Sequence, residues 1–288
     1  MANRTLEGKV ALVTGAARGV GRAIAVELAD LGADVVVTAR SVTPRDDISG
    51  TILETADAIR AAGRRALAVG ADLTVPEDRK RVVASAMEEF GRIDVLINAA
   101  SDAGPSVFRG FWETTPEAWN AQIDLNLNTM YWMMKACAPV MRDNGAGLIV
   151  NLGSMREIPE GLAGAVPEDI IANASGDVHF VMHGDSLGGA GVAYPTSKVA
   201  IFTMSTLVAQ ELISDGIVIF TLHPGGAKTE NFIRNAKLAG LDPDMGTPVV
   251  LPAKTVGYIA TCEDPSIYAG LFVDAVKFCA EKGISAVA

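Results

Sequence analysis

Residues 14–21 read Thr14-Gly15-Ala16-Ala17-Arg18-Gly19-Val20-Gly21 and stand between an apolar run, Lys9-Val10-Ala11-Leu12-Val13, and a helical pattern, Val20-Gly21-Arg22-Ala23-Ile24-Ala25-Val26-Glu27-Leu28. Strand, glycine turn and helix in that order are what a phosphate-cradling turn requires. Gly15 permits the tight turn after the strand, Gly19 lets a pyrophosphate approach the backbone, and Gly21 lets the helix pack close to the sheet. The free N–H groups at the helix start then face the phosphates.

The rest of the chain repeats the same alternation. Strands are expected near 9–14, 34–38, 66–71, 94–98, 147–151, 217–222 and 270–273, each separated from the next by a helical pattern. No Pro/Ser-rich linker or low-complexity stretch interrupts them, so the 288 residues read as one α/β domain, a doubly wound parallel sheet of about seven strands with right-handed crossovers. The glycine turn then lies at the carboxyl edge of the sheet, where ligands of such folds bind.

The formal net charge is −10 and no lysine or arginine run occurs, which argues against a nucleic-acid partner. The first residues, Met1 to Lys9, lack the apolar core of a signal peptide, and no apolar run approaches the ~20 residues of a membrane span, so a cytoplasmic protein with no membrane partner is expected. Cys137, Cys262 and Cys279 are odd in number and far apart, which suits reduced, mostly buried thiols. His179 and His183 stand four apart but lack a supporting carboxylate pattern, and no metal is expected.

Tyr194-Pro195-Thr196-Ser197-Lys198 adds chemistry to the fold. On a helix this spacing puts a phenol and an ammonium on one face. A lysine charge about 4 Å away, at an effective dielectric of about 20, contributes roughly 4 kcal/mol, or about three pKa units, to the ionisation of a tyrosine that otherwise titrates near ~10. Tyr194 would thereby work as a proton donor near neutrality.

The glycine spacing resembles the Thr-Gly-x-x-x-Gly-x-Gly of the short-chain dehydrogenase/reductase family, and ordered matches extend the resemblance from about residue 7 to about residue 275. Asp72 with Leu73 resembles the family's adenine-contacting aspartate after the third strand; Asn98-Ala99-Ala100 resembles its Asn-Ala-Gly after the fourth, with Ala100 in place of glycine. Asn126 falls where the family places the asparagine that holds a proton-relay water, and Ser154 falls at its catalytic serine. His223-Pro224-Gly225 with Thr229 resembles the Pro-Gly-x-x-x-Thr segment around the nicotinamide. The resemblance implies a catalytic set of Asn126, Ser154, Tyr194 and Lys198. It also implies cofactor contacts from Gly15, Ala17, Arg18, Gly19, Val20, Gly21, Asp72, Leu73, Asn98, Ala99, Tyr194, Lys198, Pro224, Gly225 and Thr229.

Cofactor choice turns on the end of the second strand, where an NAD enzyme usually offers a carboxylate to the ribose. This chain gives Thr38-Ala39-Arg40-Ser41. Arg40, with Arg18 in the glycine turn, could flank a 2′-phosphate, and both positions resemble the NADP-preferring members; NADP(H) is expected over NAD(H). Asp46 and Asp47 would oppose this if their loop folded back over the ribose. That loop, Pro44 to Thr51, is similar to one in the hydroxysteroid-dehydrogenase-like branch.

The expected activity is hydride transfer between the nicotinamide and a small apolar carbonyl or secondary alcohol, as a carbonyl reductase or alcohol dehydrogenase with Tyr194 as general acid/base. Reduction of an imine or activated alkene on the same site, and a non-catalytic NADP(H)-binding regulator, are the alternatives. Forty positions separate Ser154 from Tyr194, far more than the family needs, so an insertion at about 155–193 enters beside the site as a lid, a surface excursion or an oligomer contact. A helix over 122–141 is apolar around most of its circumference. This points to a homodimer or homotetramer, unless the insertion covers that surface.

Overall fold

The inner strands are short runs of aliphatic side chains hidden on both faces, as in sheets covered by helices on either side. In the computed structural model, which describes residues 6–46, 48–101, 110–154, 192–238, 240 and 242–286, β1 is Val10–Thr14, β2 Asp34–Ala39, β3 Ala66–Gly70, β4 Val95–Asn98, β5 Gly147–Leu152, β6 Ile217–His223 and β7 Phe272–Asp274. Neighbours pair in parallel in the order β3-β2-β1-β4-β5-β6-β7, the single-domain seven-stranded sheet expected from the sequence. The chain winds outward from β1 to β3, then crosses back to lay β4 against the other side of β1. The carboxyl ends of β1 and β4 therefore border the crevice at which strand order reverses.

Alternation along each strand divides the core in two. Ala11 and Val13 of β1 and Val35 and Val37 of β2 meet α1 (Gly19–Asp30), α2 (Ile52–Ala61), and two later helices, Val250–Thr261 and Ala275–Lys282, through Ile24, Leu28, Ile59, Val256 and Phe278. Val10, Leu12, Val36, Leu96 and Ile149 face the other way, toward α3 (Pro76–Phe90) and two helices at Thr129–Asp143 and Ala193–Leu212, meeting Val82, Met133, Cys137 and Ala209. At the amino end of the sheet the Asp94 carboxylate accepts from Val10 N at 2.9 Å, from Arg92 at 2.6 and 2.7 Å and from Lys9 Nζ at 3.1 Å. That cluster ties β1 to β4 at the end remote from the crevice.

The expected single helix over 122–141 is divided. α4 (Pro116–Ile123) runs into a π turn, Asp124–Asn128, before α5 (Thr129–Asp143) continues. The reason is local: the Asp124 carbonyl, five residues back, accepts from the Thr129 N–H, and it also accepts from Thr129 Oγ1 at 2.9 Å. Thr129 Oγ1 lies within 3.3 Å of Leu73 O as well, which fixes the turn to the loop after β3. Such turns commonly mark functional positions, and this one carries Asn126, which is fully buried. No helix among the described residues is long and apolar enough to cross a membrane. The insertion expected at about 155–193, with His179 and His183, falls almost entirely outside the described residues.

Candidate active site

The glycine turn is closed from outside by the loop after β4. Gly15 has φ +64°, and a Cβ placed on it would lie 2.7 Å from Ala100 N and Ala99 C. Thr14 Oγ1 accepts from Ala99 N at 3.0 Å and Ala100 N at 3.1 Å, so the residue before the glycine holds the same loop in place. A Cβ on Gly21 would lie 2.5 Å from Gly15 O, the close approach of α1 to its own turn. Arg18 precedes α1 in extended conformation with no side-chain cap on the first N–H groups and no acidic residue in the first turn. The helix start is thus electrically suited to an anion.

Beside this turn lies a cavity of about 430 Å³, within the range that holds a small cofactor. Gly15, Ala17 and Arg18 come from the turn; Ala39, Arg40, Ser41, Arg45 and Ile48 from the end of β2 and its loop; Asp72 and Leu73 from the end of β3; Ala100 and Ser101 from the end of β4. Arg18 Nη2 donates to Ser41 Oγ at 3.0 Å and to Gly50 O at 2.8 Å, which binds the two loops together. Asp72 Oδ1 accepts from Thr74 N at 3.0 Å and Thr74 Oγ1 at 2.7 Å. Asp46 is exposed and does not line the cavity, and Asp47 lies outside the described residues. A backbone cradle that excludes side chains, open N–H groups and several guanidiniums fit a dinucleotide.

Of the residues singled out from the sequence, Gly15, Ala17, Arg18, Arg40, Asp72 and Leu73 line this cavity. Asn98 and Ala99 do not line the cavity. Asn98 is buried behind it and donates to Asn151 Oδ1 at 2.8 Å, while Asn151 donates to Ser205 Oγ at 2.9 Å. This amide ladder ties β4 to β5 and to α6 (Ala193–Leu212). Pro224 and Gly225, the latter at φ +73°, follow β6, and Thr229 opens α7 (Glu230–Leu238), its Oγ1 accepting from Phe232 N at 3.1 Å.

Tyr194 and Lys198 occupy successive turns at the start of α6, with Lys198 Nζ 5.5 Å from the centroid of the Tyr194 ring. Lys198 is only 3% exposed and donates to Leu152 O at 3.0 Å. Burial pulls its pKa from 10.5 down to about 7. Ser154 lies two residues past β5 and is half-buried.

Asn126 is tied in more fully than the motif suggests. Its Oδ1 accepts from Ser101 Oγ at 3.0 Å, and its Nδ2 donates to Gln122 Oε1 at 2.8 Å and Ser197 Oγ at 3.2 Å. Ser197 Oγ in turn donates to Tyr194 O at 2.7 Å. The expected water-holding asparagine thus has its side chain engaged in pinning the tyrosine-bearing turn of α6 to the π turn. Ser101, Arg45, Asn231 and Arg234 line the cavity without having been singled out from the sequence. Arg45 stood in the loop noted for its aspartates, and Ser101 directly follows the Asn98-Ala99-Ala100 match.

A sequence model of the short chain dehydrogenase family matches residues 9–166, more than half of the chain. The chain belongs to the short-chain dehydrogenase/reductase family. As a short-chain dehydrogenase/reductase it is an oxidoreductase that uses a nicotinamide cofactor for hydride transfer. Among its relatives is an uncharacterized NAD-dependent oxidoreductase of Mycobacterium tuberculosis, 33% identical over 232 residues that cover 78% of this chain and 74% of that one. A 2,5-dichloro-2,5-cyclohexadiene-1,4-diol dehydrogenase of Sphingobium indicum is 33% identical over 229 residues, 80% of this chain and 76% of the other. A short chain dehydrogenase of Mycobacterium thermoresistibile superposes with a TM-score of 0.76 at 25% identity, covering 97% of this chain and 89% of its own.

Proposed function

We propose that this short-chain dehydrogenase/reductase is an NADP(H)-dependent carbonyl reductase or alcohol dehydrogenase acting on an apolar ketone, aldehyde or secondary alcohol. The observation that carries the cofactor reading is the gathering of Arg18, Arg40 and Arg45 along the cavity, three guanidiniums from the glycine turn and the loop beyond β2. Asp72, from the end of β3, is the one carboxylate among the described residues that line it. Guanidiniums there suit a ribose phosphate, whereas a ribose with free hydroxyls is normally met by a carboxylate at the end of the second strand. The name of the Sphingobium relative, a cyclic diol dehydrogenase, supports an alcohol or carbonyl substrate. The name of the Mycobacterium tuberculosis relative favours NAD, which makes cofactor preference the point to test.

When bound, the nicotinamide supplies the hydride in reduction and accepts it in oxidation. In this reading the Tyr194 hydroxyl donates the proton to the substrate oxygen as general acid. The Ser154 hydroxyl donates a hydrogen bond to the same oxygen as negative charge develops there. Lys198, protonated, binds the ribose hydroxyls and favours ionisation of the tyrosine. Asn126 positions Tyr194 through Ser197.

Loss of absorbance should be faster with NADPH than with NADH across a panel of hydrophobic ketones and aldehydes. Arg40→Asp should weaken NADPH binding about tenfold or more and leave NADH binding nearly unchanged. Preference for NADH in the wild-type enzyme would defeat the NADP reading and spare the reductase; tight cofactor binding with no turnover of any substrate would favour a regulatory protein.

Association into a homodimer or homotetramer is part of the same proposal. Tyr131 and Trp132 form an edge-to-face pair with ring centroids 5.1 Å apart on α5, yet remain 39% and 48% exposed. Light scattering is expected to give a mass that is a multiple of the chain's, and Trp132→Glu to reduce it; a wild-type monomer would reject association.

A further inference from the structure

Helix α7 brings a cation to the cavity from a part of the chain remote from the glycine turn in sequence. The start of the helix sits directly on that turn: a Cβ placed on Gly19 would lie 2.9 Å from Thr229 Cγ2 and 3.6 Å from Glu230 Oε2. One turn along the same helix face, Arg234 lines the cavity together with Asn231. Arg234 Nη2 donates to Asn231 Oδ1 at 3.0 Å, which fixes the half-buried guanidinium beside the cavity.

The charges around Gly19 need such a group. Glu230 Oε2 is buried and accepts no hydrogen bond, and it stands beside the backbone onto which a phosphate group would be drawn. Two anions at that range repel, and a cation on the cavity side would offset that repulsion for the bound phosphate. Arg18 is held by Ser41 and Gly50, on the side of the β2 loop. Arg234, four residues beyond Glu230, is the cation of that helix that lines the cavity.

We propose that Arg234 binds the diphosphate of the cofactor, a role separate from that of Arg18, Arg40 and Arg45 at the ribose phosphate. The proposal rests on the placement of the dinucleotide in this cavity argued above. Because both cofactors share the diphosphate, Arg234 contributes affinity without contributing preference. α7 and the β2 loop then hold one ligand by two different anionic groups.

The test is binding to the cofactor-free protein, measured by NADPH and NADH fluorescence and by competition with ADP, which has the diphosphate, and 2′-AMP, which has only the ribose phosphate. Arg234→Gln should weaken NADPH, NADH and ADP by about tenfold alike and leave 2′-AMP unchanged, with Arg234→Lys recovering part of the loss. Arg40→Asp should show the complementary pattern, weakening NADPH and 2′-AMP and sparing ADP. Unchanged ADP and NADH binding in Arg234→Gln, or a loss confined to 2′-AMP and NADPH, would overturn the role given to Arg234. If neither variant altered any of the four ligands, the placement of the dinucleotide itself would fall, and Arg234 with it. A wild-type protein that prefers NADH leaves the Arg234 comparison readable on ADP and NADH. Circular dichroism of each variant separates lost contacts from lost structure.

Discussion

Replacing Tyr194 by phenylalanine is expected to lower kcat for ketone reduction by about 10³-fold, within the ~10²–10⁴ range of a positioned general acid, while cofactor affinity changes far less. The ring is kept, so its packing at the start of α6 and its position beside Lys198 Nζ, 5.5 Å from the centroid, are kept too. What disappears is the hydroxyl that would give the substrate oxygen its proton. The backbone anchor is also untouched, because Ser197 Oγ bonds the Tyr194 carbonyl and not its side chain. Single-turnover measurements under saturating NADPH separate the proton-transfer step from cofactor release. A phenylalanine variant that turns over at close to the wild-type rate would remove Tyr194 from the mechanism.

Lys198→Met is expected to have two effects of opposite sign. Turnover should fall by at least about a hundredfold, because the ammonium that holds the ribose and favours tyrosine ionisation is lost. The cofactor-free protein, by contrast, should become more stable at neutral pH, by about 1–2 kcal/mol. The cause is desolvation: Lys198 is 3% exposed, and burial moves its pKa from 10.5 to about 7. An unfolded chain therefore binds a proton at this lysine more readily than the folded chain does. The resulting penalty is present in full below about 7 and is relieved as pH rises from there toward 10.5, the interval over which the folded state is already deprotonated and the unfolded state is not. The hydrogen bond to Leu152 O is lost in the variant, at a cost of about 1 kcal/mol, which is why the gain stays below the full desolvation penalty. Urea unfolding of both proteins without cofactor, at pH about 7 and about 9.5, should show the advantage of methionine shrinking at the higher pH. Methionine destabilising the fold equally at both values would show that burial of the charge imposes no such penalty.

The parts of this architecture that were legible in the sequence are those where geometry dictates residue identity locally. Gly15 and Gly21 could be read because a Cβ at either would meet backbone at 2.7 or 2.5 Å, and that requirement fixes a spacing within one short segment. The strands could be read because those covered on both faces must be apolar throughout. That Tyr194 and Lys198 lie side by side could be read because one helical turn separates them. The partners of Asn126 could not be read, since Ser101, Gln122 and Ser197 meet it only through the π turn. That turn depends on bonds from Thr129 to Asp124 and to Leu73, the last of them long-range and without a periodic signal. Arg45 and Arg234 escaped notice for the same reason: the cavity is assembled from six separate segments, and a cation on a loop or a helix face reads like any solvated one. Asn98 shows the converse, a motif residue whose side chain faces the core and not the cavity.

The seam between the glycine turn and the loop after β4 has a bearing on how this enzyme can change. Ala99 and Ala100 sit directly against Gly15, and Thr14 bonds both of their N–H groups. In a saturation library, positions 15 and 21 should accept almost nothing, whatever ligand is selected for, because the obstacle is backbone and not chemistry, and position 14 should keep a hydroxyl for the two N–H groups. Residues 40–46 meet no such obstacle; they present side chains from a connection between β2 and α2 that can vary in length and charge. Selection for a new cofactor preference should therefore move through that loop while the seam stays as it is.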